Sequence, residues 1–220
     1  IFVYLCIMNY TYTYRLISFA HCFRPHVLVV AIICMVCMMG CRRASEEMPA
    51  VEHAEAIVDE NPVEALEIMR SVDRDDVVSN EDLAHYALVY SEACYYNRIL
   101  VSSDSLTRIA VDYYKGRNDH DHRARAYFQH GLVMQLDNRM PEAMLSLIES
   151  LNSLEHYDDI HLRGVVYRTM GDIYRAGFCY ANSLDAYNKA FDCFDELDLP
   201  YHCYYTKYNM GQVALRMHAY

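Results

Sequence analysis

Tryptophan is absent from all 220 residues. No indole platform is therefore available for stacking sugar rings. The aromatic bulk comes from 21 tyrosines and 7 phenylalanines, and at that density an aromatic stripe on a helix is expected to be core. The short motifs that carry common chemistry are also missing. There is no phosphate loop, no dinucleotide glycine fingerprint, no H-E-x-x-H and no nucleophile elbow. Glu149, His156 and His161 are scattered among helical patterns and read as solvated positions rather than as a catalytic set. The sequence thus predicts no catalytic residue, no metal and no cofactor.

Acidic residues are missing from the first 40 positions, where Arg15 and Arg24 are the only cations. The remainder holds 17 Lys and Arg against 30 Asp and Glu, a net charge of −13. A region this acidic lacks the basic face that direct nucleic-acid binding needs.

The longest apolar run is thirteen residues, Val27 to Met39. That is short for a membrane span and matches the apolar core of a secretory signal. Gly40 and Cys41 follow it, then Arg42 and Arg43. A small residue before Cys after such a run resembles a bacterial lipoprotein signal, which makes Cys41 the lipidated residue; Met38 and Met39 depart from the usual Leu and small residue. An uncleaved anchor helix is the alternative. Residues 1–41 are accordingly read as signal, 42–48 as a polar tether and 49–220 as the folded domain. The chain opens on Ile1, with an aromatic stretch before Arg24 that reads as translated upstream DNA, and closes on Tyr220 inside a helical pattern. A gene fragment is the expectation.

Within the domain one pattern recurs forty residues apart. Tyr127, Gly131, Met134, Met140, Ala143, Met144, Leu147, Ser150 and Leu151 make the first copy. Tyr167, Gly171, Tyr174, Tyr180, Ser183, Leu184, Tyr187, Ala190 and Phe191 make the second, and Tyr208 and Gly211 begin a third. A fixed period in this range signals stacked helical hairpins. In the second copy Val166, Tyr167, Met170, Ile173 and Tyr174 fall at helical spacing, Gly177 interrupts, and Leu184, Tyr187, Ala190 and Phe191 give the partner stripe. Glycine inside a helix costs roughly 1 kcal/mol against Ala. Its recurrence at 131, 171 and 211 predicts close helix approach with no room for a side chain. Pro141 suits a first helical turn.

These residues resemble the tetratricopeptide repeat, with its aromatic, Gly, aromatic order on the first helix. The second helix matches as A-M-L-S-L-I-E-S-L at Ala143 to Leu151 and S-L-D-A-Y-N-K-A-F at Ser183 to Phe191. The period of 40 exceeds the family's 34 or so, Ser150 and Ser183 replace Ala, and the family's Pro between repeats is mostly missing. The match is specific over 120–220 and looser over 79–116. The resemblance implies an all-α, right-handed superhelix of about four hairpins. With A-L-E-I-M-R-S-V-D at 65–73 and D-S-L-T-R-I-A-V-D-Y-Y at 104–114, the chain also resembles Bacteroidetes lipoprotein-like repeat chains, many of which continue into a membrane helix, a coiled coil and sometimes a DNA-binding domain. That implies a periplasmic, membrane-anchored interaction domain, the sensor half of a regulator. The competing class is a surface glycan-capture lipoprotein.

Earlier helices follow from the same periodicity. Val51, Ala54, Ile57 and Val58 make one stripe. Asn61-Pro62 opens a second helix through Val72, and Asp73 to Val78 reads as an acidic surface loop. Ser79 or Asn80 caps a helix to about Tyr96, partnered by Asp104 to Tyr114. Gly116 to Asp119 is a turn. His120 and His122 diverge at i, i+2 on a helix, so this pair is expected at a solvated helix start rather than at a metal. Cys94, Cys179, Cys193 and Cys203 match no zinc or disulfide framework and read as small core residues.

In the resembled family the first helix of each hairpin lines a concave groove. Counted from each repeat glycine, groove positions are Arg125, Phe128, Leu132, Gln135 and Leu136, then Val165, Arg168, Asp172, Arg175 and Ala176, then Tyr205, Tyr208, Gln212, Leu215 and Arg216. The four arginines imply pairing with acidic groups of an extended peptide, and Phe128, Tyr205 and Tyr208 imply stacking on it. The family's clamp for C-terminal carboxylates uses Asn where Leu132, Asp172 and Gln212 stand, so that mode is not expected. The opposing expectation is that these arginines pair with acids on neighbouring helices.

Overall fold

A computed structural model describes residues 48–74, 77, 79–101 and 103–218. Cys41, the apolar run at 27–39 and the expected signal lie outside these residues. The described residues belong to one compact unit, Ser45–Tyr220. They form helices and no strand: α1 (Met48–Ile57), α2 (Pro62–Ser71), α3 (Asn80–Tyr96), α4 (Asp104–Tyr114), α5 (His120–Leu136), α6 (Met140–Leu154), α7 (Ile160–Ala176), α8 (Tyr180–Glu196) and α9 (Pro200–His218). The domain is therefore all-α, and no described helix is long and apolar enough to cross a membrane.

Local chemistry sets the boundaries. At α2, α3, α5 and α7 a side chain accepts from an orphan N–H of the first turn, whereas Arg139 and Cys179 ahead of α6 and α8 make no such bond. Asn61 accepts from Glu64 N, Ser79 from Asp82 N at 3.0 Å, Asp119 from His122 N and Asp159 from Leu162 N at 2.8 Å. The last three caps are spaced by forty, so the period reaches back to α3. Helix ends repeat as well. Cys94, Met134, Tyr174 and Phe194 each accept from the backbone N–H five residues on, after a residue with positive φ: Arg98, Asn138, Phe178 and Asp198. That is a Schellman ending, which favours Gly or Asn at the left-handed position.

Phe178 is the poorest fit to that position: φ is 61° and its side chain is 67% exposed. A non-Gly residue there carries a cost of about 1–2 kcal/mol. Phe178→Gly is expected to raise the melting temperature by roughly 2–4 °C, about 1 kcal/mol for a domain of this size. A melting temperature that stays put or falls would show that the ring against Tyr180 outweighs backbone relief.

Each helix packs on its sequence neighbours, and the odd-numbered helices also touch in turn, α1 to α3, α3 to α5 and α5 to α7. The core is strung along the chain as three apolar clusters. Val51, Leu66, Met69 and Val89 join α1 to α3; Leu88, Ala110 and Tyr114 join α3 and α4 to α5; Met134, Leu147, Val166, Ile173 and Phe194 join α5 to α8. Full burial of side chains of this size contributes roughly 1.5–3 kcal/mol each.

The repeat glycines behave differently from one another. A Cβ on Gly131 would lie 3.0 Å from Leu147 Cδ2, and one on Gly171 would lie 2.6 Å from the Tyr187 ring. Both sit where helices approach closely, as expected. Gly211 meets nothing within 4 Å, so no packing reason holds it there. A further close approach, Gly164 against Phe194, was not anticipated. Ser150 and Ser183 are fully buried and donate to Ala124 O and Gly171 O at 2.8 Å, so each hydroxyl ties the second helix to the first. The α8 stripe is turned slightly from its expected position. Ser183, Ala186, Tyr187, Ala190 and Phe194 are buried, whereas Leu184 and Phe191 are half-buried. Of the four cysteines described, all free, only Cys94 is core; Cys179 is exposed, and Cys193 and Cys203 are half-buried.

Candidate functional site

The odd-numbered helices together line one concavity of about 1060 Å³. Glu55 comes from α1, Glu92 and Tyr95 from α3, Arg125 and Phe128 from α5, Arg168 and Asp172 from α7, and His202 and Tyr205 from α9. Of the positions counted from the glycines, Arg125, Phe128, Leu132, Gln135, Val165, Arg168, Asp172 and Tyr205 fall on this lining. Leu136, Arg175, Ala176, Tyr208, Gln212, Leu215 and Arg216 do not. Phe128 is only 3% exposed and packs its edge on Tyr95, so its face is not open for stacking. Val165 is buried too.

The arginines divide by what already holds them. Arg125, 17% exposed, donates through Nε to Glu92 Oε1 at 2.7 Å and through Nη1 to Glu55 Oε1 at 2.6 Å, and its other terminal nitrogen pairs with Glu92 Oε2. Burial works against its charge, but the two carboxylates outweigh that and drive its pKa up further. Arg175 donates to Asp172 at 2.8 Å and to the Tyr187 hydroxyl at 3.1 Å. Tyr187 in turn donates to Asp172 at 2.6 Å; burial and this bond push its pKa up. Both arginines are thus spent on structure: Arg125 on acids of two neighbouring helices, Arg175 on Asp172 of its own helix and on Tyr187 of the next. Arg168 is different. Among the described residues it has no carboxylate at ion-pair distance. Its guanidinium faces His202 Nδ1 at 3.2 Å and lies 5.5 and 5.7 Å from the Phe194 and Tyr205 ring centres, within cation–π range. Burial and the Arg168 charge lower the His202 pKa, in that order. His161 stands edge-on to His202 at 5.4 Å, so it belongs to the concavity rather than to a solvated face. Glu149 and His156 are exposed.

Carboxylates line the whole concavity and are densest at one end. Glu55, Asp59, Glu92 and Asp121 crowd the end built from α1 and α3, with Arg98 and Arg125 among them. Arg168, His161, His202 and tyrosines occupy the end built from α7 and α9, alongside Asp159 and Asp172.

At the acidic end the histidine reading needs correction. His122 is not solvated: its side chain is 25% exposed, with Tyr114 stacked on its ring at 5.1 Å. Its Nδ1 bonds Asp119 at 2.9 Å and its Nε2 faces Glu55 Oε1 at 3.3 Å. His85 Nε2 approaches Glu55 Oε2 at 2.7 Å. The Glu55 bond is the main cause that pushes the His122 pKa up to about 9, against burial and with help from Asp119. Burial favours the neutral Glu55 acid, but the bonds from His122 and His85 and the Arg125 charge hold its pKa far below the usual range. His120 and His122 do diverge, as i, i+2 residues should; His120 goes to His156, 4.8 Å away. His122 has Asp119 as a local partner, but Glu55 on α1, and His156 beside His120, are distant in sequence, so local spacing held no signal for those contacts.

No protein-family model matches the chain, and no curated protein matches it. Among solved structures it is similar to BtubC (BKLC) from P. vanneervenii, with a TM-score of 0.49 and 10% identity over 81% of this chain and 94% of that one.

Proposed function

We propose that this domain is a non-enzymatic interaction scaffold, a tetratricopeptide-like right-handed superhelix that holds an extended peptide in the concavity of its odd-numbered helices. One observation carries the reading: Arg168 is a cation of that concavity with no carboxylate at ion-pair distance among the described residues, framed by Tyr95, Tyr205 and His202. A carboxylate-bearing side chain or chain end suits it, since a charge-assisted bond in a partly shielded site is stronger than a neutral one. The peptide's acidic group lies at Arg168, between α7 and α9. The domain sits on the periplasmic side, tethered to the membrane through lipid on Cys41 or through an N-terminal helix, as the sensor half of a membrane regulator. Nucleic acid is not its partner.

The test is fluorescence polarisation with a labelled oligoglutamate peptide, an oligolysine peptide of equal length and Arg168→Glu. The acidic peptide is expected to bind with an affinity that falls with salt and by at least tenfold in the variant. Equal affinity in both proteins removes Arg168 as the anchor. Retention on polysaccharide with no peptide binding moves the domain to the glycan class. Membrane-fraction mass spectrometry checks the tether: an unmodified Cys41 with its upstream residues intact excludes the lipid form.

A further inference from the structure

Glu55, His85 and His122 come from α1, α3 and α5 and bring one ligand atom each within 4.8 Å of the others. We propose that these three side chains bind a divalent transition-metal ion of the zinc class, through Glu55 Oε2, His85 Nε2 and His122 Nε2. Zinc bonds to nitrogen and oxygen are about 2.0–2.2 Å, which sets neighbouring ligand atoms about 3.3 Å apart in a tetrahedron. The Glu55 carboxylate is already 2.7 Å from His85 Nε2 and 3.3 Å from His122 Nε2. Two imidazoles and a carboxylate form a donor set that suits zinc and its neighbours rather than calcium or magnesium.

Three further features favour a metal over a mere ionic contact. Asp119 holds His122 Nδ1 at 2.9 Å, which fixes the ring and leaves Nε2 aimed at Glu55. A carboxylate behind a histidine is the usual outer support of a metal ligand. Tyr114 restrains the same ring from its face. Glu55 presents both oxygens to this cluster: Oε1 takes Arg125 at 2.6 Å and faces His122 Nε2 at 3.3 Å, and Oε2 faces His85 at 2.7 Å. A metal on Oε2 leaves Arg125 paired with Glu55 Oε1, with Glu92 on two bonds and with Asp121 at 3.5 Å, so the cation need not move. The three side chains are 13–25% exposed, which leaves a path for the ion and a position for water or a fourth ligand. Such an ion would pin the first helices of three successive hairpins at the acidic end of the concavity.

The test uses the untagged full chain, stripped with chelator and titrated with Co²⁺. One equivalent is expected to give visible d–d bands of a low-coordinate site, to be displaced by Zn²⁺ and to raise the melting temperature. His85→Gln and His122→Gln are each expected to weaken binding at least tenfold. Asp119→Asn keeps a good helix cap but removes the anion behind the ring, and it is expected to weaken binding about 10–100-fold. X-ray absorption on the zinc-loaded wild type needs no variant and is expected to show nitrogen and oxygen neighbours only. Sulfur in that shell, unchanged bands in the double histidine variant, or no bands and no melting shift at saturating metal would each overturn the site.

Discussion

Arg125→Met is expected to destabilise the domain by about 3–5 kcal/mol, the cost of breaking a buried ion pair from one side. The reason is what remains behind. Glu92 is only 7% exposed and receives two of the arginine's bonds. Glu55 lies on α1, seventy residues from Arg125, and receives a third. Without the guanidinium, Glu92 is a buried carboxylate with no cation, α5 loses its ion pair with α3, and its tie to α1 is reduced to His122 on Glu55. The double variant Arg125→Met with Glu92→Gln removes the stranded charge, so it should recover more than half of the loss even though it lacks more native groups. Urea unfolding of the three proteins measures this directly. A loss under about 1 kcal/mol for Arg125→Met would place the pair with exposed surface bridges and reopen Arg125 as a ligand-binding cation.

That arginine also marks the limit of what periodicity can reveal. The forty-residue period, the helix pairs and the odd-helix lining follow from positions along the chain, because hydrophobic spacing and capping are local. Ser79, Asp119 and Asp159 repeat the cap at the same interval, so α3 and α4 were legible as a hairpin although Ser91 stands where the later copies have Gly131 and Gly171. Counting from the glycines also selected Arg125 and Arg175, and there it failed. Arg125 is held by an acid 33 residues away, which spacing does not show, whereas Arg175 is held by Asp172 three residues before it, a local pairing, and by a buried tyrosine on the next helix. The Glu55, His85 and His122 cluster is further out of reach. Its members are 30 and 37 residues apart, at no shared interval, and only the side-by-side packing of α1, α3 and α5 joins them.

The largest effect on packing is expected at the glycines, where identical substitutions should have opposite signs. Alanine in place of glycine in a helix interior is worth about 1 kcal/mol in backbone propensity. At Gly211 nothing lies within 4 Å of the added methyl, so Gly211→Ala should keep that gain. At Gly131 the methyl meets the buried Leu147 side chain at 3.0 Å and the Ala143 carbonyl oxygen at 3.3 Å; Leu147 must give by a few tenths of an ångström while the backbone does not, so the propensity gain should be offset and Gly131→Ala should fall between the other two. Gly171→Ala is the costly member. Its methyl would lie 2.6 Å from two atoms of a fully buried ring that Asp172 and Arg175 hold by its hydroxyl at 2.6 and 3.1 Å. Tyr187 cannot slide without giving up those bonds, so overpacking should cost about 1–3 kcal/mol net. Leu147 is the residue forty positions before Tyr187, and Tyr187→Leu should therefore relieve much of the clash, leaving the double variant less destabilised than the two single losses added together. Thermal and urea unfolding of the set decide the matter. If Gly171→Ala is as stabilising as Gly211→Ala, the close approach of α7 and α8 is not what keeps a side chain out of that position.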